Sequence, residues 1–208
     1  NRLKSFDFSQ FQNLEYIGGF AFAHNSLTSV ELNNLSSLAE IGSYAFENNK
    51  IQELTISNLT NISTIGLNAF YNNSISSLTL SNLPSLTELS DSLFARNNLE
   101  TLTLSNLPAL NRIGSSAFNA NSLKEVTISG LSNLTTIGSN AFKENEINSL
   151  KLENLSSLIS IENYAFSENE ITTFDYNLPS LSTIGGYAFK DNSISSISFA
   201  NLPNLSSI

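Results

Sequence analysis

The sequence predicts an α/β solenoid with one short parallel strand per 24-residue repeat, coiling right-handed, with short helical or 3-10 turns between strands. Three observations carry this prediction. A fixed pattern of Phe, Asn, Leu and Ile recurs along the entire chain. No copy of it contains an apolar stretch long enough for an independent helix or a free-standing sheet. Each strand-like segment comes after the same kind of turn at the same period, so successive strands must run parallel.

The frame is set by Phe22, Phe46, Phe70, Phe94, Phe118, Phe142, Phe166 and Phe189, each preceded by Ala except at Leu93-Phe94. An Asn lies three residues later, at Asn25, Asn49, Asn73, Asn97, Asn121, Asn145, Asn169 and Asn192, and Asn1 starts the frame. The spacing is 24 residues until the last interval, which is 23. The missing residue lies near Asn177, where Phe174-Asp175-Tyr176-Asn177 replaces forms such as Leu150-Lys151-Leu152-Glu153-Asn154. Residues 1–208 thus read as a single array of eight full repeats and a truncated ninth, expected to be a piece of a longer protein.

Residues 49–72 show the elements in order. Leu54-Thr55-Ile56 alternates with period two, which predicts a strand whose flanking residues point inward. Ile62 to Ile65, spaced by three, fits a second extended segment or a tight turn. Ala69-Phe70 with Asn73 after it predicts one helical or 3-10 turn. In register, the Leu, Ile and Phe positions become core columns. The Asn column is expected to bond backbone groups of adjacent turns. Gly18, Gly42, Gly66, Gly114, Gly138 and Gly185 read as turn residues with positive φ. Ser90 and Glu162 replace that glycine, so those two turns are expected to differ.

The unit resembles leucine-rich repeats, and within them the BspA-like (Treponema-type) branch of bacterial surface proteins. The signature is the trailing block Ile41-Gly42-Ser43-Tyr44-Ala45-Phe46, repeated at Ile137-Gly138-Ser139-Asn140-Ala141-Phe142. That branch often carries Cys three residues after the Phe, where every copy here has Asn. The resemblance implies a leucine-rich-repeat solenoid at the cell surface or outside the cell, with a concave strand face that binds protein.

Composition narrows the functional classes. The nine Lys and Arg on a chain of net charge -9 form no basic footprint, so nucleic acid is not an expected partner. No apolar run suits membrane insertion, and the absence of Cys removes disulfides and thiolate chemistry. With one His and no nameable nucleophile, catalysis and cofactors are not expected. The candidate ligand-binding residues are the outward middles of the strands: Asp7, Glu31, Thr55, Thr79, Thr103, Thr127, Lys151, Asp175 and Ser198. Phe20, Tyr44, Tyr164 and Tyr187, two residues before the column Phe, are candidate adhesive anchors, with packing across the turns as the plainer reading. Glu144, Glu146, Glu168, Glu170 and Asp191 stack along one edge as a weak Ca²⁺ candidate, though no known calcium-loop pattern is present. The expected function is a non-catalytic adhesion module for a protein or cell-surface ligand. The alternatives are a self-associating surface layer and, behind it, ice binding by the Thr ladder.

Overall fold

Two strands and three sharp corners make up each coil of the solenoid. The computed structural model describes residues 2–208, and Asn1 lies outside them. The expected L-x-L strands are present as β2 (Ser29–Asn33), β4 (Glu53–Ser57), β6 (Ser77–Ser81), β8 (Thr101–Leu104), β10 (Glu125–Ser129), β12 (Ser149–Glu153), β14 (Thr173–Asp175) and β16 (Ser196–Ser198). A second ladder forms on the opposite side from β1 (Tyr16–Ile17), β3 (Glu40–Ile41), β5 (Thr64–Ile65), β7 (Glu88–Leu89), β9 (Arg112–Ile113), β11 (Thr136–Ile137), β13 (Ser160–Ile161) and β15 (Thr183–Ile184). All pairing is parallel between equivalent residues of successive coils, as in Leu54↔Leu78 and Ile41↔Ile65. The fold is therefore a parallel β-solenoid with two strands per coil, not one.

The expected helical turns are not formed. Among the described residues the only helix is one 3-10 turn, Phe8–Gln10. The Ala-Phe corner instead directs amides sideways: Phe46 N–H bonds the Ala69 carbonyl at 2.8 Å, and Phe142 bonds Ala165 at 2.8 Å. Lateral bonding to the next coil takes the place of the i→i−4 ladder a helix needs, so the α/β description becomes all-β. In most coils three residues turn with left-handed φ, for example Asn58 (56°), Asn68 (55°) and Asn72 (52°). Asn tolerates this region better than most residues, which accounts for much of its abundance.

The recurring glycine of each unit has a different cause from the one expected. Among the described glycines only Gly130 has positive φ. At Gly66 an added Cβ would lie 2.4 Å from the Ser43 amide nitrogen, and at Gly114 one would lie 2.6 Å from the Leu89 carbonyl oxygen. The glycine is required because one coil's backbone rests on the next. Gly66→Ala is expected to destabilise the array by about 1–3 kcal/mol through this overlap, measured as a lower urea midpoint. An unchanged midpoint would mean that the coils are not in such close contact.

Ser90 and Glu162 reveal how a coil packs without the glycine. Residues 73–96 and 145–168 are the two coils that lack it, and they are also the two whose long strands fail to pair with the next. The long ladder consequently divides into β2-β4-β6, β8-β10-β12 and β14-β16. At Ser90 the short ladder also opens, between β5 and β7, and the Ser90 hydroxyl takes the Ile65 carbonyl that an amide would otherwise bond. Both ladders are interrupted at this coil, the short one before it and the long one after it. At Glu162 the rear bond survives, from Glu162 N–H to the Ile137 carbonyl at 2.9 Å. The front seam after Glu162 coincides with the missing residue near Asn177. There the left-handed corner that Asn154 supplies to the preceding coil has no counterpart.

The core is a rod of stacked columns. The rings from Phe22 to Phe189 lie 5.1–5.7 Å apart with interplanar angles of 2–24°. The Asn column fastens the coils together as expected. Asn73 Nδ2 donates to the carbonyls of Phe46 (3.0 Å) and Phe70 (3.3 Å), while its Oδ1 accepts from Ile51 N–H at 3.2 Å. One side chain thereby satisfies backbone groups of neighbouring coils in the buried interior.

Candidate binding surface on the strand face

The strand alternation decides which side chains reach solvent. In β4, Leu54 and Ile56 are buried while Thr55 faces outward, and the other long strands repeat this with local variation. The predicted strip is thus one row, in three registered segments. Glu31, Thr55 and Thr79 are paired in order, as are Thr103, Thr127 and Lys151, and then Asp175 with Ser198. The seams fall between Thr79 and Thr103 and between Lys151 and Asp175.

Asp7 does not belong to this row. Its carboxylate caps the 3-10 turn, accepting from Ser9 N–H at 3.0 Å and from the Ser9 hydroxyl at 2.6 Å. These bonds, the hydroxyl one foremost, hold its pKa below the usual carboxylate value. An Asp two residues before Ser bonds its own turn more readily than it joins a strand.

The aromatic candidates form pairs. Phe20 stacks on Tyr44 at 4.7 Å and Tyr164 on Tyr187 at 5.0 Å, all four with positive φ. Phe20 and Tyr187 remain largely exposed. These rings pack on each other at a corner, away from the strand row.

The acidic edge is interleaved with lysines. Lys143 Nζ lies 3.0 Å from Glu144 and 3.2 Å from Glu168, and these two hydrogen bonds, Glu144 first, raise its pKa. Lys124 approaches Glu146 at 3.9 Å, and Lys190 lies 3.3 Å from Asp191. Among the described residues no group of three or more His, Cys, Asp or Glu side chains is arranged to hold a metal ion.

The hydrophobic columns of the repeat do not reveal the groove at the second seam. About 620 Å³ in volume, it is lined by Leu150, Lys151, Glu153, Asp175, Tyr176 and Asn177 among others. Leu150 is only half-buried there. Tyr176 takes the register position of the inward Leu152, meets the Phe174 ring edge-on at 5.1 Å, and has its phenol pKa pushed up to about 12 by burial. Its signals were the shortened repeat and the lost glycine, whose joint effect on strand pairing does not appear in the periodicity.

A family model described as a BspA type leucine rich repeat region matches in six copies, over residues 1–119 and 87–208. No curated protein matches the chain. Among solved structures, the pneumococcal vaccine antigen PcpA aligns at 20% identity with a TM-score of 0.49, over 94% of this chain and 66% of that one. A leucine-rich repeat protein from Bacteroides ovatus aligns at 18% identity with a TM-score of 0.38, over 94% and 72% of the two chains. The chain therefore spans slightly less than two thirds of the antigen's length.

Proposed function

This chain belongs to the BspA-type leucine-rich repeat family, and from that premise we propose that it is a non-catalytic, extracellular or cell-surface module that binds protein or a cell-surface ligand through its long-strand face. The observation that carries this reading is the outward row from Glu31 to Ser198, in its three registered segments. A row of short side chains on paired strands offers a partner a broad, pre-formed surface at small entropic cost. Trp and Arg are absent from the row and its charges are few, so single contacts are weak and repetition along the array supplies avidity.

The test uses the fluorescently labelled array on intact bacterial and epithelial cells at low and physiological salt. Glu31→Lys, Lys151→Glu and Asp175→Lys are expected to alter retention and change its salt dependence, because exposed charges act through screened fields. Glu40→Lys, exposed on the opposite ladder, should leave it unchanged. Sedimentation of the same protein over a concentration series tests the self-association alternative. Filaments that form with concentration and disappear on Tyr187→Ser, without cell binding, would replace the adhesion reading by the structural one.

A further inference from the structure

We propose that the seam between β12 and β14 is a strand-addition site, which takes one extended peptide segment bearing a basic side chain and pairs its backbone with both open edges. The proposal rests on the strand face being the binding surface and names the kind of partner that this part of it takes.

Both sides of the groove are strand edges. β12 pairs with β10 and β14 with β16, and no backbone hydrogen bond joins β12 to β14. Alternate residues of each strand therefore point N–H and C=O groups into the gap, where they are free to pair with a guest chain. The opening is closed at both ends. Glu170 N–H bonds the Ile147 carbonyl at 3.0 Å before it, and the Ser180 hydroxyl bonds the Ser156 carbonyl at 2.6 Å after it. Behind it, β13 and β15 remain paired and the Phe166 and Phe189 rings stay stacked at 5.3 Å, so the core stays closed beneath the groove.

Length and charge define the guest. β12 has five residues, an edge of roughly 17 Å, which suits a short extended segment but not a helix, whose backbone bonds are already used. Lys151, Glu153 and Asp175 line the opening, and among the described residues none of them has an ion-pair partner. Two carboxylates against one ammonium favour a guest with a cationic side chain pointing outward. Its neighbours in the strand, pointing inward, would cover the half-buried Leu150. The seam between β6 and β8 has open edges too, but its strip residues are Thr79 and Thr103, and it lacks this charge pattern.

The probe is the peptide acetyl-Thr-Val-Lys-Val-Thr-amide, with a control N-methylated along one edge of its backbone. Hydrogen exchange of the full chain is monitored at residues 149–153 and 173–175. The peptide is expected to slow exchange there and not in β4, and N-methylation to weaken binding about tenfold or more through lost backbone bonds. Inserting Ser between Tyr176 and Asn177 together with Glu162→Gly should rejoin the edges, slow exchange without peptide, and abolish peptide binding. Unchanged exchange on adding peptide, or equal binding by the N-methylated control, would overturn the proposal even if the closed variant failed to fold. If these fail while Lys151→Glu and Asp175→Lys still alter cell retention, the strand-face reading survives without strand addition. If cell retention is insensitive to the whole row while the peptide still pairs, the reverse holds.

Discussion

Phe118→Ala is expected to lower stability by about 3–5 kcal/mol, seen as a large fall in the urea midpoint. Phe118 is fully buried, with Phe94 at 5.5 Å on one side and Phe142 at 5.3 Å on the other. Removing the ring opens a cavity in the middle of the rod, and the flanking rings cannot close it because each is held by its own coil. The cost therefore includes the lost transfer energy, the cavity and two stacking contacts. Stability in a solenoid is close to a sum of coil and nearest-neighbour interface terms, so the damage falls on two interfaces at once. Thr103→Ala, in the outward row, should shift stability by less than about 0.5 kcal/mol. Similar midpoints for the two variants would show that the ring column does not hold the coils together.

The ring and Asn columns were legible because each depends on one residue type recurring at one spacing. The outward row from Glu31 to Ser198 was legible for the same reason, since alternation in a strand assigns its two faces directly. The second strand was not resolved from a turn because it is two residues long. Thr64-Ile65 presents a single inward side chain, Ile65, and one residue has no period. The Ala-Phe corner looked helical because a turn and a helix start with the same local spacing. The glycine was misread because its constraint is a neighbour 24 residues away in sequence, as Gly66 above Gly42-Ser43 shows. The seams lie beyond pattern reading for that reason as well. They coincide with Ser90, Glu162 and the shortened corner near Asn177, none of which disturbs the hydrophobic columns.

Asn97 gives the most direct test of what fastens one coil to the next. Its Nδ2 donates to the carbonyls of Phe70 (3.0 Å), Phe94 (3.0 Å) and Ala95 (3.3 Å), and its Oδ1 accepts from Ile75 N–H at 3.0 Å. Asn97→Ala leaves these backbone groups without their partner in a buried position and is expected to cost about 3–5 kcal/mol. Asn97→Asp has nearly the same shape and separates hydrogen bonding from packing. At neutral pH its carboxylate would face carbonyl oxygens where an NH₂ group had donated, so this variant should be at least as unstable as the alanine one. Burial and those carbonyls raise the Asp pKa in the folded state above its unfolded value of about 3.9. A raised folded-state pKa means that the folded form binds the proton more tightly. The deficit of Asn97→Asp relative to the native chain should therefore shrink as pH falls through the folded pKa towards the unfolded one, where the protonated acid again donates to one carbonyl and accepts from Ile75. The native Asn does not titrate, and other carboxylates cancel in the difference between the two urea melts. A deficit that stays constant from pH 7 to about pH 4 would show that the Asn column holds the coils by shape and not by donating to their carbonyls.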